Sequence, residues 1–171
     1  MPRAWNKRHP MGEMEMVAEY VSREYPAADA RLRVRLGTIQ PAIAGRVLTP
    51  EESRALRPVL RWADAIAIMP AEVVLIEAKI RAEPGAIAQL EVYRDLFPLT
   101  AELRPFLDRP LIMELVCAIE DPAVTAYART RGIRVKVYRP AWLPEYLAKR
   151  ARREPRPPRP GWMPTPHARC W

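Results

Sequence analysis

The chain has 171 residues, of which 49% are hydrophobic, and a formal net charge of +8 at pH 7. This composition excludes a wholly disordered protein, and no apolar run reaches the roughly 18–20 residues that span a bilayer. We therefore expect a soluble intracellular domain that does not bind membranes, with a polyanionic partner such as nucleic acid favoured by the charge. The alternative is that the basic composition serves solubility alone.

The first half of the chain predicts a helix, a strand, a short helix and a hairpin of two strands. An apolar stripe indicates the first helix, which Pro26 ends. The strand alternates arginines with apolar residues, so that arginines 31, 33 and 35 are expected on one face, either as a basic stripe or as a merely solvated surface. The predicted ranges in chain order are 12–25, 31–37, 49–56, 62–69 and 72–80.

The second half predicts helices that alternate with strands. One helix has a complete set of end signals, with Asp121 as its cap, proline at its first position and Gly132 at its end. The predicted ranges are 83–97 (helix), 110–119 (strand), 121–132 (helix), 133–138 (strand) and 141–153 (helix). The order indicates an α/β fold with a mixed central sheet flanked by helices.

Two terminal segments differ in composition from this domain, which is assigned to residues 12–153. Residues 1–11 form a basic arm, and residues 154–171 form a tail rich in proline and arginine, with six prolines between positions 155 and 166. Such a tail favours an extended, polyproline-like conformation. The two cysteines indicate neither a disulfide framework nor a zinc site, and the two histidines lie near the ends, which argues against histidine catalysis.

Three charged residues interrupt the apolar hairpin. Glu77 and Lys79 alternate onto one face of the second strand, and the hairpin can bring Asp64 beside Glu77. Two converging carboxylates suit Mg²⁺ or Mn²⁺, and the lysine can orient or help deprotonate a water or offset the charge of a phosphate. Only four of the 28 basic residues are lysines, and one of them stands beside Glu77. The alternatives are an exposed ion pair for Glu77 and Lys79, and a local turn cap for Asp64.

These residues resemble the PD-(D/E)xK nuclease superfamily, in which an acid on one strand precedes an acid-x-Lys on the next. Asp64 and Glu77-Ala78-Lys79 match that pattern, and the predicted order matches the restriction-endonuclease-like αβββαβ core. The helix that follows carries Gln89-x-x-x-Tyr93, as in the RecB-like branch. The resemblance implies that Asp64 and Glu77 bind the metal, that Lys79 is catalytic, and that Gln89 and Tyr93 contact substrate. Alternatively, Gln89 is a surface residue and Tyr93 a core aromatic.

Two features depart from the superfamily pattern. Asp64 is preceded by Ala63 where a proline is expected, which removes one confirming residue. Many members also carry a glutamate on the first helix, but a helical wheel does not indicate which glutamate of this chain corresponds to it. The candidates on that helix are glutamates 13, 15, 19 and 24.

The basic residues at the end of the domain and in the tail form a second candidate site. Arg150, Arg152 and Arg153 are predicted to bind substrate, and tryptophans 162 and 171 supply rings on which bases can stack. The alternative is that this arm docks on a protein surface, as in a homo-oligomer or a larger assembly.

The function predicted from these residues is that of a metal-dependent DNA nuclease acting on ends, branches or single strands. The alternative is a structural component with a nuclease-like fold, such as a phage head–tail or DNA-packaging accessory protein, which would place the chain in a virion.

Overall fold

The computed structural model describes residues 12–37, 49, 51 and 61–152. The helices are α1 (Glu13–Glu24), α2 (Pro84–Leu96), α3 (Pro122–Thr130) and α4 (Leu143–Ala151). The strands are β1 (Asp29–Leu36), β2 (Arg61–Ile68), β3 (Val73–Arg81), β4 (Leu111–Ile119) and β5 (Ile133–Val137). Two 3₁₀ segments, Phe97–Leu99 and Ala101–Phe106, follow α2. Within the described ranges, none of the helices has the length and hydropathy needed to cross a membrane.

The strands form one mixed sheet in the order β1-β2-β3-β4-β5. The first three strands pair antiparallel, whereas β3, β4 and β5 pair parallel. The described elements follow the αβββαβ order and continue with α3, β5 and α4. The predicted α/β fold with a mixed sheet and flanking helices is therefore confirmed.

Each face of the sheet has its own apolar core. Leu75, Leu90 and Leu103 belong to the core between the sheet and α2, which the 3₁₀ segments extend. Val17 and Ile76 belong to the opposite core, where α1 and α4 cover the sheet. Because β3 is covered on both faces, it is almost continuously apolar, and this burial makes the charges of Glu77 and Lys79 exceptional.

Local sequence signals account for most element boundaries. The Asp121 side chain accepts hydrogen bonds from the backbone N–H groups of Ala123 and Val124, at 3.1 and 3.3 Å, and thereby caps α3. Gly132 follows that helix at φ +69°, a conformation that glycine adopts without strain. The predicted short helix 49–56, the arm 1–11, residue 153 and the tail 154–171 lie outside the described residues, apart from positions 49 and 51.

A buried carboxylate fixes α1 against the sheet. Glu114 of β4 is 0% exposed, and it accepts hydrogen bonds from the hydroxyls of Tyr20 and Tyr25 at 2.8 and 3.0 Å. Burial raises the pKa of Glu114, while the two tyrosine hydroxyls lower it. Removing either hydroxyl would leave a buried acceptor with fewer partners, so these bonds hold α1 in one position.

The regular alternation of β1 breaks at Arg33. This residue has φ +51°, and the register omits the pair that it would form with Asp64. Arg31 lies over the Phe106 ring and Val34 packs against the same core, although alternation would put positions 31 and 34 on opposite faces. The regular alternation expected for arginines 31, 33 and 35 is therefore wrong at Arg33, whereas Arg31 and Arg35 both line a groove beside the 3₁₀ segment Ala101–Phe106.

The positive φ of Arg33 predicts that glycine is more stable than alanine at this position, the reverse of the usual order in a strand. A residue with a Cβ is destabilised by about 1–2 kcal/mol in the left-handed region, whereas glycine is not. We expect Arg33→Gly to be more stable than Arg33→Ala by about 0.5–1 kcal/mol in urea denaturation, because both variants lack the guanidinium and differ only at Cβ.

Arg35 is the matched control for this comparison. It lies on the same strand without a positive φ, so Arg35→Ala is expected to be more stable than Arg35→Gly. The same order at both positions would contradict the proposed strain at Arg33.

Candidate carboxylate–lysine site

The sheet opens between β2 and β3 beside the charged residues. The β2–β3 pairing runs from Ile68 opposite Val73 to Ala65 opposite Ile76 and ends there. Beyond this point β2 continues to pair with β1, and β3 continues to pair with β4 as far as Arg81 opposite Ile119. The two halves of the sheet therefore part at the level of Asp64 and Glu77, and we call the gap between β2 and the unpaired side of β3 the cleft.

Two carboxylates satisfy the backbone N–H groups that β3 presents to this cleft. The N–H of Ala78 donates to Asp64 Oδ2 at 2.9 Å, and the N–H of Ile80 donates to Glu13 Oε1 at 3.2 Å. Asp64 therefore bonds to a residue 14 positions away, and the alternative that it only caps the turn before its own strand is wrong. Glu13 comes from the first turn of α1, and of the four glutamates considered on that helix it is the one with a described hydrogen bond to β3.

Glu77 and Lys79 form a buried ion pair. Lys79 Nζ lies 2.6 Å from Glu77 Oε1, and the two side chains, lysine and glutamate, are only 16% and 3% exposed. The alternative of an ion pair on a solvated face is therefore wrong. The second carboxylate oxygen, Glu77 Oε2, is buried and has no hydrogen-bond partner in the described structure. An unpaired buried carboxylate oxygen is costly, and either a proton shared with Asp64 or a bound cation would satisfy this atom.

The electrostatics of the two acids reflect burial and mutual repulsion. Burial, and next the charge of Asp64, raise the pKa of Glu77 to about 7, although Lys79 opposes this shift. Burial also raises the pKa of Asp64, while the Ala78 N–H, Lys79, Glu77 and Arg33 lower it. Two such carboxylates without a bound cation therefore favour sharing a proton over carrying two charges.

Lys79 remains protonated in this setting. Burial lowers its pKa, but the hydrogen bond and charge of Glu77, followed by the charges of Glu13 and Asp64, raise it to a greater extent. The net direction favours a charged hydrogen-bond donor over a proton acceptor. Of the three roles that the sequence left open for Lys79, this direction of the pKa disfavours deprotonation of a water and leaves orientation of a water and charge compensation.

The helix after β3 brings Gln89 and Tyr93 to the same place. Tyr93 is 3% exposed and belongs to the core beneath α2. Burial raises the pKa of its hydroxyl, and so do the charges of Glu77 and Asp64, while Arg61 and a hydrogen bond with Gln89 lower it. The Tyr93 ring is a core aromatic, and its hydroxyl faces the two acids. Gln89 itself is exposed, on the same helix face as Tyr93.

The predicted substrate-binding arginines make no described contact with this site. Arg150 and Arg152 are exposed at the end of α4, where Arg150 donates to the Tyr146 hydroxyl at 3.2 Å. Arg153 lies outside the described residues. Sequence reasoning missed Arg33 and Arg61, whose charges act on Asp64 and Tyr93, because both reach the cleft only through strand pairing.

Few side chains at the cleft can bind a metal ion. In the described part of the chain, no group of three or more His, Cys, Asp or Glu side chains is arranged to hold a metal ion. The carboxylates available at the cleft are therefore the pair Asp64 and Glu77, with Glu13 bound to the β3 backbone beside them. A cation here would complete its coordination with water and substrate oxygens, as Mg²⁺ commonly does.

Comparisons with known proteins give distant structural matches alone. No family model matches the chain, and no curated protein matches it either. A crystal structure of a repair endonuclease from Pyrococcus abyssi matches with a TM-score of 0.42 at 13% identity, over 74% of this chain and 46% of that chain. The structure of an EndoMS–dsDNA complex matches with a TM-score of 0.44 at 13% identity, over 81% and 49%.

A third solved structure, the protein of unknown function AF1548, matches with a TM-score of 0.45 at 14% identity, over 81% of this chain and 67% of that one. The chain spans about half the length of the first two structures.

The buried acids predict that neutralising one of them stabilises the metal-free protein. The raised pKa of Asp64 means that folding favours its protonated form, so its ionisation weakens the fold as the pH rises above its unfolded value near 3.9. An asparagine at this position keeps an oxygen for the Ala78 N–H without the charge. In EDTA, we expect Asp64→Asn to raise the melting temperature by a few degrees at pH 8, and by less at pH 5.

Asp95→Asn is the control, because Asp95 is 70% exposed on α2 and pairs with the adjacent Arg94. It should leave the melting temperature nearly unchanged at both pH values. A loss of stability in Asp64→Asn at pH 8 would contradict the account of strained, repelling carboxylates.

Proposed function

We propose that this protein is a metal-dependent nuclease that hydrolyses phosphodiester bonds in DNA. The observation that carries the proposal is the meeting of Asp64 with the buried Glu77–Lys79 pair where β2 and β3 diverge. Two acids can hold a metal ion, and an adjacent ammonium can stabilise the charge that develops on a phosphate during phosphodiester hydrolysis.

The residues at the cleft fit a divalent cation. Glu77 Oε2 is buried without a partner, and the raised pKa of Glu77 reflects two carboxylates facing each other. Both features are relieved by a positive charge between Asp64 and Glu77. Oxygen donors of this kind suit Mg²⁺ or Mn²⁺, which retain several waters and bind substrate phosphates directly.

Each side chain has a separate task in this proposal. A bound divalent cation would supply Lewis-acid polarisation of the scissile phosphate and a lower pKa for an attacking water. Asp64 and Glu77 hold it, and Lys79, fixed by Glu77, donates its remaining N–H groups to the phosphate oxygens or to the water. Glu13 fixes the β3 backbone through Ile80 and adds negative charge beside Lys79.

Gln89 and Tyr93 serve substrate orientation in the proposal. The Tyr93 hydroxyl faces the acids from a buried ring, so its position is set by the core. Gln89 is exposed on the same helix face as Tyr93, and from there its amide would reach a phosphate at the cleft mouth. The Gln-x-x-x-Tyr spacing supports a place in the RecB-like branch of the PD-(D/E)xK nucleases.

DNA is the substrate that the charge of the chain supports. The net charge of +8 and the excess of arginine favour a polyanion. The arginines of α4 and of the tail would add affinity outside the cleft. The proposal places the protein inside the cell, together with its DNA substrate.

The proposal is tested by removing the lysine ammonium. Lys79→Met replaces the charge with an apolar chain of similar length, so the phosphate and water lose their donor. We expect Mg²⁺-dependent nicking of plasmid and degradation of linear DNA to fall at least about 100-fold, since a single such donor is worth roughly 10²–10³ in rate. Lys136→Met is the control, because Lys136 is exposed on β5, two strands away.

A thermal-shift titration separates metal binding from cleavage. Mg²⁺ is expected to raise the melting temperature of the wild-type protein and of Lys79→Met, but not that of Asp64→Asn, because binding to the folded state alone stabilises it. Cleavage by Lys79→Met equal to that of the wild type would remove Lys79 from the mechanism. No cleavage and no shift with wild-type protein would contradict the nuclease and leave the assembly component as the alternative.

A further inference from the structure

A groove lies beside the proposed site on a part of the sheet that the mechanism does not use. Past the last β2–β3 pair, β1 and β2 continue together, with Arg35 opposite Trp62 and Leu36 opposite Arg61. We call residues 33–36 and 61–64 the β1–β2 wing. The wing borders the cleft on the side away from β4, and Asp64 lies where the wing leaves the rest of the sheet.

The groove runs between the wing and the 3₁₀ segment Ala101–Phe106. Its volume is about 490 Å³, which is within the range of small-molecule sites. Trp62 lines it and is 40% exposed, although tryptophan is normally well covered. The other lining residues used here are Arg31, Arg35, Thr100, Glu102 and Leu103.

The charges around the groove favour an anionic ligand with an aromatic part. Arg31 and Arg35 line it, with partial neutralisation by Asp29 and by Glu102, whose carboxylate lies 3.6 Å from Arg35. Arg33 and Arg61, also on the wing, form no ion pair with any described residue. Arginines together with an exposed tryptophan are the groups on which single-stranded nucleic acids stack and bind.

The separation of Trp62 from Asp64 along β2 places the groove about one nucleotide from the proposed site of cleavage. Trp62 precedes Asp64 by two residues, which is about 7 Å along a strand and comparable to one nucleotide step. A base in a duplex is paired and stacked, and its face is hidden from a side chain. Trp62 can therefore receive only a base that has left the helix.

We propose that the groove at Trp62 binds an unpaired nucleotide of the substrate next to the scissile phosphate. The base stacks on Trp62, and Arg33 and Arg61 contact the adjacent phosphates. This inference rests on the proposed nuclease function for the position of the cut, and it narrows the substrate to DNA that is single-stranded or frayed at that position.

Equilibrium binding in EDTA tests the groove without requiring cleavage. The probes are a fluorescein-labelled single-stranded oligonucleotide and a hairpin of the same length whose strands are fully paired and joined by a non-nucleotide ethylene glycol linker, so that it has no unpaired base; binding is followed by anisotropy. Trp62→Ala is expected to weaken single-strand binding about tenfold, because removing one stacking aromatic costs on the order of 5- to 150-fold. Hairpin binding should change less than about twofold in the same variant.

Two further variants make the result specific. Trp62→Phe keeps an aromatic face and should retain affinity within about threefold. Tyr127→Ala removes an aromatic side chain that is 49% exposed on α3, outside the groove, and should change neither affinity. Melting temperatures of all three variants verify that the loss is not due to unfolding; if Trp62→Ala unfolds, the comparison is made with Trp62→Leu.

The outcomes separate this inference from the proposed function. Unchanged single-strand binding in Trp62→Ala, or an equal loss of affinity for hairpin and single strand, would contradict the binding of an unpaired base at Trp62. This holds even if the wild-type protein cleaves DNA. A loss of affinity for the single strand alone would support the binding of an unpaired base at Trp62, even if no cleavage is found. In that case only the nuclease proposal fails.

Discussion

The structure of the site depends on the unequal pairing of β3. This strand is paired with β4 along its length, but with β2 along only half of it. Backbone N–H groups in a protein interior must find acceptors, and those of Ala78 and Ile80 face the gap. Asp64 and Glu13 supply these acceptors with side-chain oxygens. The need to satisfy two amides thus brings two acids beside Glu77, so an essentially structural requirement also assembles the charged cleft.

The acids lie on elements whose positions the core determines. Glu77 is on the central strand, and Tyr93 projects from a helix packed on it. Glu13 is carried by α1, which the bonds from Tyr20 and Tyr25 to the buried Glu114 hold against β4. A site built on packed elements holds its geometry closely, which electrostatic catalysis needs. The same burial makes two ionised carboxylates side by side unfavourable, as is common where function and stability compete.

Much of the fold could be predicted because the chain carries strong local signals. Pro26, the Asp121–Pro122 cap and Gly132 mark element ends, and the alternation of apolar residues marks the strands. The meeting of Asp64 with Glu77 could be predicted from the hairpin, because two consecutive strands with a short turn pair antiparallel. The burial of Glu77 and Lys79 could not, since it depends on α2 packing over β3. The choice of Glu13, the groove at Trp62 and the backbone of Arg33 also depend on tertiary arrangement, which no local pattern encodes.

The left-handed conformation of Arg33 has a consequence for the outer edge of the sheet. In the described part of the chain β1 pairs only with β2, so it is the edge strand of the described sheet. A flat edge of this kind is a template on which a strand from another molecule can add. The dihedral reversal at position 33 interrupts the even spacing of the backbone groups along β1, and the arginines along the edge repel a copy of themselves. The deformation beside the cleft is thus also of the kind that disfavours strand addition at a sheet edge.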